Sequence, residues 1–393
     1  MRASGFPDLP REAFEAAAGA RLTVDLSALR ANWRMLADRA PGAETAAVVK
    51  ADAYGIGIAN AVPALVAEGC RTFFVAMADE GLRVRAAAPD ARIFVLNGFF
   101  AGSAALYRAG DLIPVAGCRA DIEAWCAETD RTNPPAFAIQ VDTGMNRAGL
   151  SPAEALAYAD AMRAGEAPKP TMVMTHLACA DDPDNPKNAE QLAAFRTVRE
   201  AFAGIEASMA NSGGVLNGPA YHFDLTRPGI ALYGGEAVET IANPMRPVVT
   251  LEGRITSLRH AKAGETVSYG ATWTLERDSL LATCSLGYAD GFVRAASGSG
   301  VPLREAVPQG TRGFVNDTHV PLVGRVTMDL TIFDVTDCVT PPRAGEHIEF
   351  FGAHVALDDV ARAAGTIGYE LLTGLSQRYH RRVMTGRPPE PTG

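Results

Sequence analysis

Between about residue 45 and residue 232 the chain repeats one pattern eight times, a short apolar run followed by a helical stretch or a turn. The runs are TAAVVK, TFFVAMA, RIFVLNG, LIPVAG, AFAIQVDTG, TMVMTHLA, ASMANSGG and FDLTRPGIALYG. Among them lie segments with helical spacing, such as IANAVPALVAEG, AEALAYADAMRAG and NAEQLAAFRTVREAFAG. Strands and helices alternating in this way predict an α/β fold, here a (β/α)8 TIM-like barrel, with a doubly wound open sheet as the alternative. The barrel is preferred because several runs end in polar residues that would converge on one face. Ahead of the first run, RLTVDLSALRANWRMLADRA reads as a short strand and then a helix, with Asp25 or Ser27 as its N-cap.

Near residue 244 the texture changes. Pro244 and Pro247 punctuate the chain, and short β-branched segments follow, separated by Gly, Pro and Asp turns: VVTLEGRITSLRH, GETVSYGATWT, SLLATCSLGYADG, THVPLVGRVTMDLTIFDV and EHIEFFG. They predict a mostly β second domain, closed by the helix LDDVARAAG and the stretch TIGYELLTGLSQRYHRR. The expected division is therefore a barrel over 21–243 and a β-rich domain over 244–386, with loose ends at 1–20 and 387–393. A chain of 393 residues has room for both.

A net charge of −9 argues against a phosphate-backbone binder, which needs a basic face. No apolar run is long enough to span a membrane, and the first twenty residues hold no apolar core of a signal peptide. The six cysteines are scattered, with no C-x-x-C pair, which fits reduced thiols of a cytoplasmic protein. The seven histidines supply no ligand set at metal-binding spacing, so no metal is expected.

In a barrel, catalytic groups sit where strands end at the C-terminal face. Those ends carry Lys50 and Tyr54, Asp142 to Arg147, His176, Asn211-Ser212-Gly213, and Arg227-Pro228-Gly229. Lys50 is one of only four lysines; Lys169, Lys187 and Lys262 occupy turns, and arginine serves elsewhere. A lysine kept where arginine is the rule suits a role that requires losing a proton, which a guanidinium does not do. Against this stands a lysine that merely snorkels from a strand end to water. The Ser-Gly-Gly and Arg-Pro-Gly turns follow the seventh and eighth runs, where barrels often bind phosphate through backbone N–H groups and a hydroxyl.

In the same order along the chain, VVKADAYG, VDTGMNR, THLACAD, ANSGG, RPGIALYG, VSYG, GYADG and VGRVTMD resemble the motifs of the alanine racemases, from about Arg21 to Tyr379. The resemblance implies a pyridoxal 5'-phosphate enzyme that interconverts L- and D-alanine. It implies a homodimer in which one subunit's barrel and the other's β-domain share each active site. Carried over by position, Lys50 would hold the cofactor as a Schiff base and act as base on the D-enantiomer. Tyr269, from the partner subunit, would be the base for the L-enantiomer. His176 and Arg227 would polarise the Tyr269 phenol through a hydrogen-bonded chain, and Arg227 would face the pyridine nitrogen. Tyr54, Asn211, Ser212, Tyr369 and the backbone of Gly229 and Ile230 would serve the cofactor, largely its phosphate. Arg147 and the backbone of Met328 would contact the substrate carboxylate and the phenolate, and Tyr288 and Asp329 would line the entrance. One position departs from the pattern. Many members carry a carbamylated lysine two residues before Asp142 to orient the arginine; here it is Gln140, which can accept a hydrogen bond but brings no charge, so Arg147 would lean on it, on another acceptor or on an anion such as chloride. A racemase of broad specificity is the alternative. A decarboxylase is disfavoured by Tyr269, and a non-catalytic binder of the cofactor by the β-domain itself.

Overall fold

The structure, a computed structural model, describes residues 10–130, 133–297 and 311–386. Its first unit, Ala28–Arg246, is the barrel. The parallel strands Thr72–Val75, Arg92–Val95, Ile113–Ala116, Ala138–Gln140, Met172–Met174, Glu206–Ser208 and Leu225–Thr226 follow one another around it. The remaining strand comes in two pieces, Glu44–Thr45 and Ala47–Val48, and closes the ring: the first piece pairs with Leu225–Thr226 and the second with Thr72–Val75. All eight runs supply a strand, and a helix follows most of them on the outside. The reason is visible in the burial. Thr72–Val75 is buried at every position, as befits a strand covered on one face by helices and on the other by the barrel interior. Phe73, Phe74, Phe94 and Phe137 fill the packed core.

Polar residues at the strand starts are tied together at the opposite end from the site described below. Arg92 donates to both carboxylate oxygens of Glu206 (2.9 and 3.0 Å) and to Glu44 (2.8 Å), linking the first residues of three strands. In barrels this end serves stability rather than chemistry.

The second unit joins the residues up to Ser27 to those from Pro247 onward. The chain thus divides differently from the expected 21–243 and 244–386: the strand Ala20–Asp25 lies in the second sheet, antiparallel to Val249–Ala261 and parallel to His380–Met384. Its alternation is the physical reason. Leu22 and Val24 point into the core while Arg21, Thr23 and Asp25 are half-exposed, a pattern that suits a sheet with one wet face and not a barrel strand. Arg21 pairs bidentately with Glu252, its register partner on the neighbouring strand (2.7 and 2.6 Å). Asp25 takes the capping role ahead of the helix Leu26–Arg39, its carboxylate accepting from the Ser27 N–H at 2.8 Å. Of the ends expected to be loose, 1–9 and 387–393 lie outside the described residues, and the helix Arg11–Ala17 occupies part of the rest.

Val249–Ala261 is the spine of this unit. Its first half pairs with Ala20–Asp25 and His347–Phe351, and past a register shift between Ile255 and Ser257 its second half pairs with Ser279–Cys284. Phe350 meets Phe292 and Phe333 edge-on at 4.8 and 5.1 Å between ring centroids, forming the apolar centre. Among the described residues no helix is long and apolar enough to cross a membrane. All six cysteines are free thiols; Cys70, Cys284 and Cys338 are buried, and Cys118 is exposed.

Candidate active site

Lys50 stands directly past the strand Ala47–Val48, and the chain after it does something no periodicity announces. Ala51, Asp52, Ala53 and Tyr54 all have φ between 51° and 55°, a left-handed turn that ends in Gly55 and Gly57. Left-handed backbone costs an L-residue about 1–2 kcal/mol, so four in succession persist only when surroundings dictate them. The Asp52 carboxylate supplies part of that restraint, accepting from the Ile58 N–H at 2.9 Å and pairing with Arg83. Tyr54 stacks on Tyr233 at 4.4 Å, and the Tyr233 hydroxyl donates to the Val48 carbonyl at 2.9 Å, fixing the turn against the strand that carries Lys50. Ala51 is exposed, so an A51G variant is expected to gain roughly 0.5–1 kcal/mol in urea unfolding, relief of strain less glycine's added chain entropy; a loss of stability would contradict the left-handed turn.

Burial lowers the Lys50 pKa, and the charge of Arg147 lowers it further, with Glu80 opposing. Both effects raise the fraction of neutral amine. Glu80, which also accepts from the Ala76 N–H (2.9 Å), was not singled out in the sequence: it lies in the first turn of Ala78–Ala87, where an acid reads as ordinary N-terminal helix chemistry.

Arg227, just past Leu225–Thr226, is buried beneath this face. It donates to the Thr175 carbonyl (2.7 Å), the Met209 carbonyl (3.4 Å) and the Ser208 hydroxyl, and its guanidinium lies 5.9 Å from the Phe74 ring centroid. Burial pushes it down to about 9, still protonated at neutral pH. Among the described residues its Nε–H makes no protein hydrogen bond. Its Nη2, which bonds the Thr175 and Met209 carbonyls, also faces His176 Nδ1 at 3.4 Å, which makes Nδ1 the acceptor and leaves the ring proton on Nε2. Burial first, and then the charges of Arg227, Arg147 and Lys50, push His176 down to about 3, so the imidazole is neutral. Ser208 and Thr175, unremarkable in sequence, prove to be what holds the guanidinium.

Ser212 Oγ accepts from the Gly229 and Ala231 N–H groups at 2.8 and 3.3 Å, tying the seventh barrel loop to the eighth. A side chain at Gly229 would collide with the Tyr54 hydroxyl, so glycine is what lets that phenol approach the backbone. Asn211 uses its side-chain oxygen to cap the short helix Ser212–Leu216, accepting from Gly214 at 2.9 Å. The Ile230 N–H has no acceptor among the described residues. Arg147 is exposed on the loop that Asp142 begins. Of the acceptors open to Arg147, Gln140 is not engaged: among the described residues no hydrogen bond joins its amide to Arg147.

The structure therefore brings Lys50, Tyr54, Arg147, His176, Asn211, Ser212, Arg227, Gly229 and Ile230 to the strand ends of the barrel unit. Tyr269, Tyr288, Met328, Asp329 and Tyr369 belong to the other unit. There Tyr269 is 73% exposed, in a loop where Ser268 has φ 65° and donates its hydroxyl to the Arg325 carbonyl at 2.8 Å. Tyr288 and Met328 are also exposed, and the two segments bearing them are zipped by Tyr288 N–H to the Thr327 carbonyl (3.0 Å) and Ala289 N–H to the Met328 carbonyl (2.9 Å). Arg378 bridges Asp329 (2.8 Å) and Asp290 (3.3 Å) beside them. Tyr369 is exposed on the helix Gly368–Thr373.

A closed parallel barrel with a desolvated amine and a neutral imidazole at its strand ends defines an enzyme with its chemistry at the C-terminal face. Comparison with known proteins narrows the class. Residues 24–237 match the family model described as alanine racemase, N-terminal domain, and residues 248–383 that of the C-terminal domain. The chain is 53% identical over 370 residues to an alanine racemase of Rhizobium meliloti, covering 94% of this chain and 98% of the relative. It is also 53% identical over 380 residues to a biosynthetic alanine racemase of Agrobacterium fabrum, covering 96% and 97%. Among solved structures, alanine racemase from Bartonella henselae, crystallised with covalently bound pyridoxal phosphate, superposes with a TM-score of 0.85 at 36% identity, over 93% of this chain and all of that one. The biosynthetic enzyme of Pseudomonas aeruginosa gives the same TM-score and identity over 93% and 99%. The chain belongs to the alanine racemase family.

Proposed function

We infer that this chain is a pyridoxal-phosphate-dependent isomerase that interconverts L- and D-alanine by a two-base route, with Lys50 and Tyr269 as the bases. The observation that carries the reading is the meeting, on one barrel face, of the desolvated Lys50 with Arg227, His176 and the Ser212–Gly229 loops, in a member of this family.

The residues fit the cofactor. The Arg227 Nε–H and the Ile230 N–H are donors without acceptors among the described residues, one suited to a ring nitrogen and the other to a phosphate oxygen. Gly229 lets the Tyr54 hydroxyl close onto the loop that Ser212 ties, so that both hydroxyls would stand at the phosphate end. Lys50 Nζ would hold the group covalently; Tyr54, Ser212, Tyr369, Asn211 and the backbone of Gly229 and Ile230 would hold its phosphate end. When bound, pyridoxal phosphate supplies the electron sink for the pair left at the α-carbon. A guanidinium keeps its own protons, so Arg227 would donate a hydrogen bond to the ring nitrogen without protonating it, which moderates that sink.

Racemisation needs one group to remove the α-proton and another to return one on the opposite face. The Tyr269 oxygen takes the proton of L-alanine and Lys50 Nζ protonates the other face; the roles reverse for D-alanine. Arg147 holds the substrate carboxylate, with the Met328 backbone beside the phenolate. We place Tyr269 in the site of a partner subunit, in a homodimer with shared sites. The support is its setting: a phenol 73% exposed, in a unit whose Met328 and Tyr288 are exposed as well, suits burial by another subunit. The free thiols support a cytoplasmic setting, and the biosynthetic relative supports supply of D-alanine for peptidoglycan.

The direct check is to incubate the purified holoenzyme with L-alanine and follow D-alanine by chiral chromatography. Approach to a 1:1 mixture is expected; no D-alanine from a folded, cofactor-loaded protein would overturn the assignment.

A further inference from the structure

The loop that presents Arg147 is built around a single carboxylate. It leaves the strand Ala138–Gln140 and is closed at its neck by Asp142 N–H to the Leu150 carbonyl and Leu150 N–H to the Gln140 carbonyl, both 2.9 Å. Inside, Asp142 Oδ1 accepts from the N–H groups of Gly144 (2.9 Å), Met145 (2.8 Å) and Asn146 (3.0 Å), and Oδ2 accepts from that of Arg147 (2.9 Å). Four consecutive amides thus converge on one side chain. Such a path requires left-handed backbone at Gly144 (φ 136°), Asn146 (φ 56°) and Gly149 (φ 128°). A Cβ at Gly149 would stand 2.5 Å from the Asp142 nitrogen. Although partial burial works the other way, these N–H groups hold the Asp142 carboxyl below the usual range. Next to it, Thr143 is tied by its hydroxyl to that of Thr175 at 2.8 Å, and Gln191 reaches both Thr143 (3.2 Å) and the His176 carbonyl (2.9 Å). The loop is thereby anchored to the strand end that carries His176.

No described side chain accepts a hydrogen bond from the Arg147 guanidinium, and Gln140 does not approach it in that way. We propose that Asp142 is the positioning residue for Arg147: by gathering the amides of residues 144–147 it aims the guanidinium through the main chain, where a side-chain acceptor is missing. The proposal rests on the reading that Arg147 binds the substrate carboxylate.

A double-mutant cycle on the holoenzyme separates the two ideas. The probe is propionate, alanine without its amino group, which reports carboxylate binding without turnover; its affinity is read from the change in cofactor absorbance on titration. In D142N the propionate Kd is expected to rise about tenfold, with KM for alanine rising in step and kcat changing less, since a charge-assisted set of bonds is lost and one neutral acceptor remains. Amide hydrogen exchange across 144–147 should quicken. In an R147A background D142N should add nothing to the propionate Kd. Unchanged propionate binding in D142N, or an equal loss with and without Arg147, overturns the positioning role. If R147A itself leaves propionate affinity intact, the carboxylate reading of Arg147 falls instead. Should D142N not fold, D142S, which keeps one acceptor oxygen, is taken through the same cycle.

Discussion

Replacing Tyr269 by phenylalanine is expected to lower kcat/KM for alanine about a thousandfold, within the range that positioned acid–base groups contribute. The loss must be the same from L to D as from D to L. The two alanines are enantiomers with an equilibrium constant of one, so every variant has equal kcat/KM in the two directions. What the variant should not lose is the cofactor: Y269F is expected to stay yellow, because the groups proposed to hold that cofactor, Lys50, Tyr54, Ser212 and Arg227, are untouched. A colourless Y269F protein would mean that the phenol serves binding. A yellow and fully active one would remove Tyr269 from the chemistry.

Lys50→Ala is expected to have the larger effect, a fall of about 10⁴-fold or more, because it removes the covalent anchor and one of the two bases together. Borohydride reduction distinguishes this from misfolding. In the wild type it should leave a pyridoxyl group on the peptide containing Lys50; in K50A no lysine should be labelled, although Arg227 and the phosphate loops can still retain the cofactor without a covalent bond. Labelling of Lys169, Lys187 or Lys262 in the wild type would show the wrong amine was chosen. The physical reason for Lys50 is local: it is the lysine that burial and the Arg147 charge push toward its neutral, nucleophilic form.

Much of this was legible in the residues. Strands such as TFFV and RIFV announce themselves because burial on both faces demands unbroken apolar runs, and their polar ends mark the face where Lys50, His176 and Arg227 appear. The strand Ala20–Asp25 falls within the range expected for the barrel, but its alternating pattern belongs to the half-wet antiparallel sheet in which it pairs. The left-handed turn at Ala51–Tyr54 was hidden because, Asp52 apart, nothing in Ala-Asp-Ala-Tyr favours positive φ; tertiary packing imposes it, with Gly55 and Gly57 hinting at unusual backbone. Ser208, Thr175 and Glu80 were missed for a different reason. Each is an ordinary small or acidic residue whose importance lies in a partner distant in sequence, as when Ser208 meets Arg227. Asp142 stood out as a strand-end acid, but its role as a carboxylate that gathers backbone N–H groups is signalled only by the Gly and Asn that follow it.

The central claim is that two different groups handle the proton, one on each face, and its most direct test follows hydrogen rather than rate. L-alanine bearing protium at the α-carbon is converted in D₂O, and the first few per cent of D-alanine product is separated and its α-position read by mass spectrometry. If Tyr269 removes the protium and Lys50, exchanged with solvent, delivers to the opposite face, early D-alanine carries deuterium, while unreacted L-alanine stays largely protiated. Product retaining the substrate's own protium would show that one base carries the proton across, and would contradict the two-base account.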